Sequence, residues 1–149
     1  MPDREDIPSG DAVWRSIYFP RMYWDAHALI WNGIFDFASG QAESLIWSKY
    51  APTPNEIHEI GCVRERIKRL VKPEFQYLGA VSGLVQQIRG IRVNGHGFSV
   101  DHEPGEAIHH AEVKYAPAEG VDLKRTDKND LKFQLRQVFG PQQPHTCAA

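Results

Sequence analysis

The chain has no long apolar segment and no recognisable targeting signal. No apolar run approaches the roughly 18 residues that a membrane-spanning helix needs. The first six residues include three acidic ones and lack the apolar stretch of a secretory signal peptide. We therefore expect a cytoplasmic protein with no membrane partner.

Cysteine is scarce, and neither sign of charge dominates. Cys62 falls in a predicted helix and Cys147 in a predicted tail, and neither has a CxxC partner. We therefore expect two free thiols, and neither a disulfide framework nor a thiolate zinc site. The formal net charge of −2 excludes a chain that binds polyanions through its overall charge.

The rest of the composition is that of one globular domain. The chain has 149 residues, of which 42% are hydrophobic, and this length is sufficient to bury a substantial core. Residues 1–12 hold two prolines and a glycine and predict a flexible arm. Residues 142–149 predict a flexible tail, so the single domain is expected over residues 13–141.

Two helices are predicted from capping and periodicity. Thr53, Pro54 and Glu56 form a capping box with proline at the first helical position. Apolar residues then recur at helical spacing up to residue 71, and a proline at position 73 ends the helix. Asp127 is expected to cap a second helix over 128–139.

The remaining regular structure is predicted to be β. The aromatic segment 13–37 suggests extended chain, 43–50 fits a strand or a short helix, and the Asn94 and Gly95 pair predicts a hairpin turn. Four apolar and β-branched runs are typical of strands: 75–81, 84–93, 96–100 and 107–115. This order favours an α+β fold, with an antiparallel or mixed sheet and both main helices packed on one face.

The densest group of chemically capable side chains lies in residues 101–115. This stretch holds three histidines, four carboxylates and a lysine. Because side chains alternate along a strand, His110, Glu112 and Lys114 are expected on one face, and His109 with its apolar neighbours on the other.

Asp101, Glu112 and Lys114 fit the pattern of a PD-(D/E)xK nuclease. In such a site an aspartate ends one strand, and an acidic residue and a lysine follow on the next. The two carboxylates would hold Mg²⁺, and the lysine would position the attacking water. The proline that usually precedes the aspartate is absent, since Val100 stands there. The competing interpretation is a solvated edge strand that resists aggregation.

Two further hypotheses use the histidines. His102, His110 and Glu112 predict a site for Zn²⁺ or another transition metal, with His96 as an alternative to His102. Alternatively, His110 is a general base oriented by a carboxylate. The competing interpretation is that these histidines are ordinary polar residues of a hairpin.

Aromatic and basic residues suggest binding surfaces. Aromatic side chains are enriched at protein interfaces, although they also form plain core stripes. The four tryptophans are Trp14, Trp24, Trp31 and Trp47. A basic helix face suits nucleic acid, but it also suits the negative end of a helix dipole. That face consists of Arg64, Arg66, Lys68, Arg69 and Lys72.

Residues 3–8, residues 43–47 and the pairing of 102–104 with 110–112 resemble a group of small uncharacterised bacterial proteins. The resemblance implies no activity and no catalytic residue. From the residues themselves we expect a small accessory or interaction protein that binds a protein partner or itself. The alternative is a metal-dependent hydrolase, namely a nuclease built on Asp101, His110, Glu112 and Lys114.

Overall fold

The computed structural model describes residues 3–24, 29–30, 34–38 and 41–148, with only the backbone described at 23–24 and 29–30. Its strands are β1 (Ala12–Phe19), β2 (Tyr23–Trp24), β3 (Leu29–Ile30), β4 (Glu43–Trp47), β5 (Gln76–Leu84), β6 (Gly97–His102), β7 (His110–Ala116) and β8 (Gln142–Pro144). Its helices are α1 (Pro54–Lys68), α2 (Val85–Arg89) and α3 (Arg125–Gln137). None of these described helices combines the length and apolar character needed to cross a bilayer.

Six strands form one antiparallel sheet in the order β6-β7-β4-β1-β5-β8. The short strands β2 and β3 pair separately. The segment 43–50, which fitted either a strand or a helix, is strand β4 followed by a turn. The predicted α+β class is confirmed.

The two main helices pack on opposite faces of the sheet. Ile57 of α1 is buried in a small cluster with Ile46 and Ala80. Leu131 and Leu135 of α3 belong to the larger core on the other face. The expectation that both helices lie on one face is therefore wrong. Periodicity identifies the apolar stripe of a helix but not the side of the sheet that the stripe covers.

The predicted N-cap is confirmed at α1 but not at α3. At α1 the capping box is confirmed, because Thr53 Oγ1 accepts from the Glu56 amide and a Glu56 carboxylate oxygen accepts from the Thr53 amide. At α3 the N-cap is Lys124 and not Asp127. Asp127 lies in the first turn, where its Oδ2 accepts from the Lys124 amide. An aspartate satisfies free amides from either position.

The predicted strand over 84–93 is wrong beyond its first residue. Strand β5 ends at Leu84, and α2 follows with Val85 and Ile88 buried one helical turn apart. So short an apolar run fits either period, and packing against β6 and the larger core decides in favour of the helix.

The turn at Asn94 and Gly95 is confirmed, but it does not join two long paired strands. Both residues have positive φ, 52° and 83°, and Val93 and His96 exchange two backbone hydrogen bonds of 2.9 Å. Beyond this bridge, β6 pairs with β7 and not with residues 84–93. The Asn-Gly pair specifies a turn, whereas the partner of the following strand is chosen by the rest of the sheet.

The arm and the tail, both expected to be flexible, are attached to the domain. Ile7 is buried in the larger core, and its carbonyl accepts from the Arg89 guanidinium at 2.8 Å. The tail contains β8, which pairs with β5. Single apolar residues and short edge strands leave no periodic signal in a sequence, so composition alone suggested flexible chain.

The four tryptophans differ in burial and in how much of each the structure describes. Trp47 is 1% exposed, and its indole nitrogen donates to Asp11 Oδ2 at 2.9 Å. Trp14 is half-buried beside the α1 cluster. The side chain of Trp24 and the whole of Trp31 lie outside the described residues, so the interface role of the tryptophans stays a prediction.

Candidate functional site

The predicted carboxylate and lysine residues lie side by side on the outer face of β6 and β7. The strand register places Asp101 directly opposite Glu112. Lys114 Nζ lies 3.8 Å from Asp101 Oδ2, and both side chains are substantially exposed, at 50% and 35%. Such a pair forms a solvated cross-strand contact, and it also satisfies the face requirement of the nuclease pattern.

His102 does not join these residues, because it points into the core from the other face of β6. Its Nδ1 accepts from the Glu5 amide at 3.0 Å, and its Nε2 donates to the Ile108 carbonyl at 2.8 Å. The alternative ligand His96 is also fully buried. It accepts from the Ala118 amide and donates to the Asp122 carbonyl. Both imidazoles hold backbone segments in place and present no free nitrogen.

His110 lies on the outer face and is held at both ring nitrogens. Nδ1 donates to the Glu103 carbonyl at 2.9 Å, which leaves Nε2 to accept from the Ser44 hydroxyl at 3.2 Å. The Glu106 and Glu112 carboxylates are farther away, each 4.0 Å from Nε2. A carbonyl, and not the predicted carboxylate, therefore orients this imidazole.

His110 also lines a groove of about 400 Å³ between α1, the outer face of β1 and β4, and the loop that precedes β7. We call this the α1 groove. Its basic wall is formed by Arg64, Lys68 and Lys72. Its apolar and hydroxyl floor includes Trp14, Ser16, Tyr18, Ser44, Ile46 and Phe75. The opposite wall is formed by Glu106, Ala107, His109 and His110.

Helix geometry explains the basic wall. Arg64 and Lys68 are four residues apart in α1, and Lys72 continues the same row just beyond the helix end, so the three project to one side. Within the part of the chain that the structure describes, none of the three lies within 4.0 Å of a carboxylate. The Arg64 guanidinium lies over the Tyr18 ring, 5.4 Å from its centroid.

The floor of the groove is built from packed rings. Tyr18 stacks on Phe75 with centroids 4.8 Å apart, and burial raises the pKa of the Tyr18 hydroxyl. Beneath the floor, the guanidinium of the buried Arg15 contacts Glu43 Oε2 at 2.8 Å and donates to the Ser44 carbonyl at 2.9 Å. These contacts connect β1 to β4 beneath the groove.

On the opposite wall, burial lowers the pKa of the His109 imidazole, and the charge of His110 lowers it further. His109 is therefore neutral over a wider pH range than a free histidine. The groove thus has one wall of basic side chains and an opposite wall that carries two imidazoles and the Glu106 carboxylate.

The structure also assembles a cluster that the sequence analysis missed. Cys62 of α1 and Cys147 of the tail form a disulfide, so the expectation of two free thiols is wrong. His145 lies beside the two sulfur atoms. The ring of His58 stacks on that of His145 with centroids 4.2 Å apart and planes inclined by 8°.

The sequence does contain a signal for this cluster, namely two pairs that each consist of a histidine and a nearby cysteine. His58 and Cys62 are four residues apart, which places them on one helix face. His145 and Cys147 are two residues apart, which places them on one side of an extended segment. Neither pair has the CxxC form, and only the fold brings the two together.

Comparison of the chain with protein-family models, with curated proteins and with solved structures finds no match. The resemblance to small bacterial proteins therefore stays a prediction.

Proposed function

We propose that this is an interaction protein whose α1 groove binds an acidic, extended segment of a protein partner. The observation that carries the proposal is the basic wall of Arg64, Lys68 and Lys72, three cations without carboxylate partners among the described residues, above an aromatic floor. Unpaired cations on one wall attract acidic side chains and orient them during association. The rings of the floor offer apolar contact area at small cost in conformational entropy.

Charge favours a protein segment over a nucleic acid. A domain that binds nucleic acid generally carries a large net positive charge, whereas this chain has a formal net charge of −2. The carboxylate of Glu106 at the opposite wall would also repel a continuous phosphate backbone. A peptide can place its carboxylates toward the basic wall and neutral side chains toward Glu106.

The test uses a fluorescein-labelled peptide of alternating glutamate and tyrosine, followed by fluorescence anisotropy. We expect saturable binding that weakens with added salt. The double variant Arg64→Glu, Lys68→Glu should lower the affinity by about tenfold or more, because attraction becomes repulsion. The matched control is Arg66→Glu, an exposed charge reversal on the same helix that does not line the groove.

Three outcomes would contradict this proposal. One is an equal loss of affinity in the Arg66→Glu control. Another is tighter binding of a single-stranded oligonucleotide than of the peptide, which would make the groove a nucleic-acid site. The third is a dimer, measured by light scattering, that dissociates in the double variant, which would make the occupant a second copy of this chain.

A second candidate function is the metal-dependent hydrolase. The register that places Asp101 opposite Glu112, with Lys114 on the same face, favours it. If this site is a nuclease, the protein should bind Mg²⁺ or Mn²⁺ in calorimetry and cleave DNA or RNA. Asp101→Ala and Glu112→Ala should each abolish cleavage without unfolding the domain. Absence of divalent-ion binding at millimolar concentration would exclude this candidate.

A further inference from the structure

Two segments distant in sequence bring three metal-ligating side chains together. Cys62 comes from α1, whereas His145 and Cys147 come from the tail. Cys62 and Cys147 are 85 residues apart in the sequence. One potential ligand atom from each of the three lies within 4.8 Å of those from the other two. Among the described residues, no second group of three or more histidine, cysteine, aspartate or glutamate side chains meets this 4.8 Å limit.

The tail is held beside α1 by its backbone and not only by the disulfide. In β8, Pro144 is in register with Gly79 of β5, and the His145 amide donates to the Leu78 carbonyl at 2.7 Å. Gly79 has φ of 137°, and a Cβ at this position would lie 2.2 Å from the Gln143 carbonyl oxygen. Only glycine permits so close an approach, so β5 is adapted to receive the tail.

The helix side of the cluster is fitted to the sheet in a similar way. Gly61 packs against the ring of Tyr77, where a Cβ would lie 2.3 Å from a ring carbon. Tyr77 Oη is hydrogen-bonded to His58 Nδ1 at 2.8 Å, and the His58 ring supports that of His145. This chain of contacts fixes the orientation of His145 relative to Cys62, as outer groups do in metal centres.

We propose that, in its reduced form, the chain binds a zinc-class ion through Cys62, His145 and Cys147. The disulfide is then the oxidised, metal-free form of the same site. Two thiolates and an imidazole nitrogen are ligands typical of Zn²⁺ in tetrahedral sites, and water completes the coordination. The two thiolates also neutralise the charge of the ion, which suits the half-buried position of all three side chains.

The disulfide form is converted to the metal-bound form in two steps, reduction and then metal binding. A trialkylphosphine attacks the disulfide, and water supplies one oxygen and two protons, giving two thiols and the phosphine oxide. The ion then displaces both thiol protons as the two metal–sulfur bonds form, so binding releases two protons to solvent. A disulfide that served only as a cross-link would need neither histidine beside it.

The test is a titration of the phosphine-reduced, desalted wild-type protein with Co²⁺ under anaerobic conditions, followed by competition with Zn²⁺. We expect one equivalent of Co²⁺ to bind, with thiolate-to-metal charge transfer in the ultraviolet and the intense visible absorption of tetrahedral Co²⁺. Zinc should displace it. The oxidised protein should show neither band, because a disulfide sulfur is not a thiolate ligand.

Variants assign the ligands. Cys62→Ser and Cys147→Ser should remove the charge-transfer band, and His145→Ala should weaken binding by about tenfold or more. The matched control is His109→Ala, which removes an imidazole in the α1 groove and should leave the titration unchanged.

The reduced wild-type protein alone is sufficient to refute the proposal, whether or not the variants fold. No Co²⁺ binding by that protein, or metal that fails to restore its circular dichroism if reduction unfolds it, would overturn the site. Binding that persists in folded Cys147→Ser, or that is lost equally in His109→Ala, would also overturn it.

Discussion

The outer face of β6 and β7 and the cluster around Cys62 are built in opposite ways. On the strand face, the candidate residues lie within fifteen positions of one another, yet His102 points into the core and away from Asp101. In the cluster, Cys62 and Cys147 are 85 positions apart, yet their sulfur atoms are bonded. Residues that are close in the sequence are therefore not necessarily close in a site, and the reverse is equally true.

The physical reason is that the two regions depend on different interactions. Alternation along a strand separates neighbouring residues onto two faces, whatever their chemistry. The cluster depends instead on β8 joining the edge of the sheet at β5, which delivers the tail to the helix α1.

The largest effect should follow loss of the cross-link. Cys147→Ser should lower the free energy of unfolding of the oxidised protein by about 4–5 kcal/mol, since the disulfide restricts the unfolded chain over a long loop. Denaturant unfolding measures this difference. Under reducing, metal-free conditions the wild type and the variant should coincide. Equal stability of oxidised and reduced wild type would contradict the prediction.

The second effect concerns the packing that holds the cluster in position. Gly61→Ala should destabilise the protein by about 1–2 kcal/mol, because overpacking against Tyr77 outweighs the better helix propensity of alanine. The control is Glu59→Ala on the exposed side of the same helix, which should change stability by no more than about 0.5 kcal/mol. A stabilised Gly61→Ala variant would contradict the close contact.

The third prediction concerns pH and the loop that precedes β7. Because burial lowers the pKa of His109 below 6.5 in the folded state, the unfolded state binds more protons as pH falls through 6.5. The contribution of His109 to stability is therefore lost as pH falls from 6.5 toward the folded pKa. Unfolding curves of wild type and His109→Gln should diverge in that window. Parallel pH dependence of the two would contradict the burial effect.

The smallest effect should come from the strand face itself. A double-mutant cycle of Asp101→Ala and Lys114→Ala should give a coupling energy below about 1 kcal/mol, since exposed ion pairs are well solvated. Thermal unfolding of the four proteins is sufficient for the cycle. A larger coupling would indicate a desolvated pair and would strengthen the hydrolase candidate.

The same contrast explains how much was predictable. The capping box at Thr53 and the turn at Asn94 and Gly95 are local devices, and both were predicted from the sequence. Short apolar runs fit two periods, so α2 was predicted as a strand. The faces covered by α1 and α3 depend on sheet order, which no local pattern contains.

The candidate sites follow the same rule. The alternation that placed Glu112 and Lys114 together is local and is observed in β7. The α1 groove combines a helix, two strands and a loop, so its basic wall could be read from the sequence but its floor could not. The pairing of Cys62 with Cys147 required the complete topology of the sheet.

The claim that the metal-ligating group of this chain lies at Cys62, His145 and Cys147 is tested most directly by X-ray absorption spectroscopy. The sample is the reduced protein loaded with one equivalent of Zn²⁺. We expect two sulfur ligands at about 2.3 Å and a first shell completed by nitrogen or oxygen at about 2.0–2.1 Å. A first shell of oxygen and nitrogen only, with no sulfur, would contradict the claim and would direct attention back to His110 and Glu112 on the strand face.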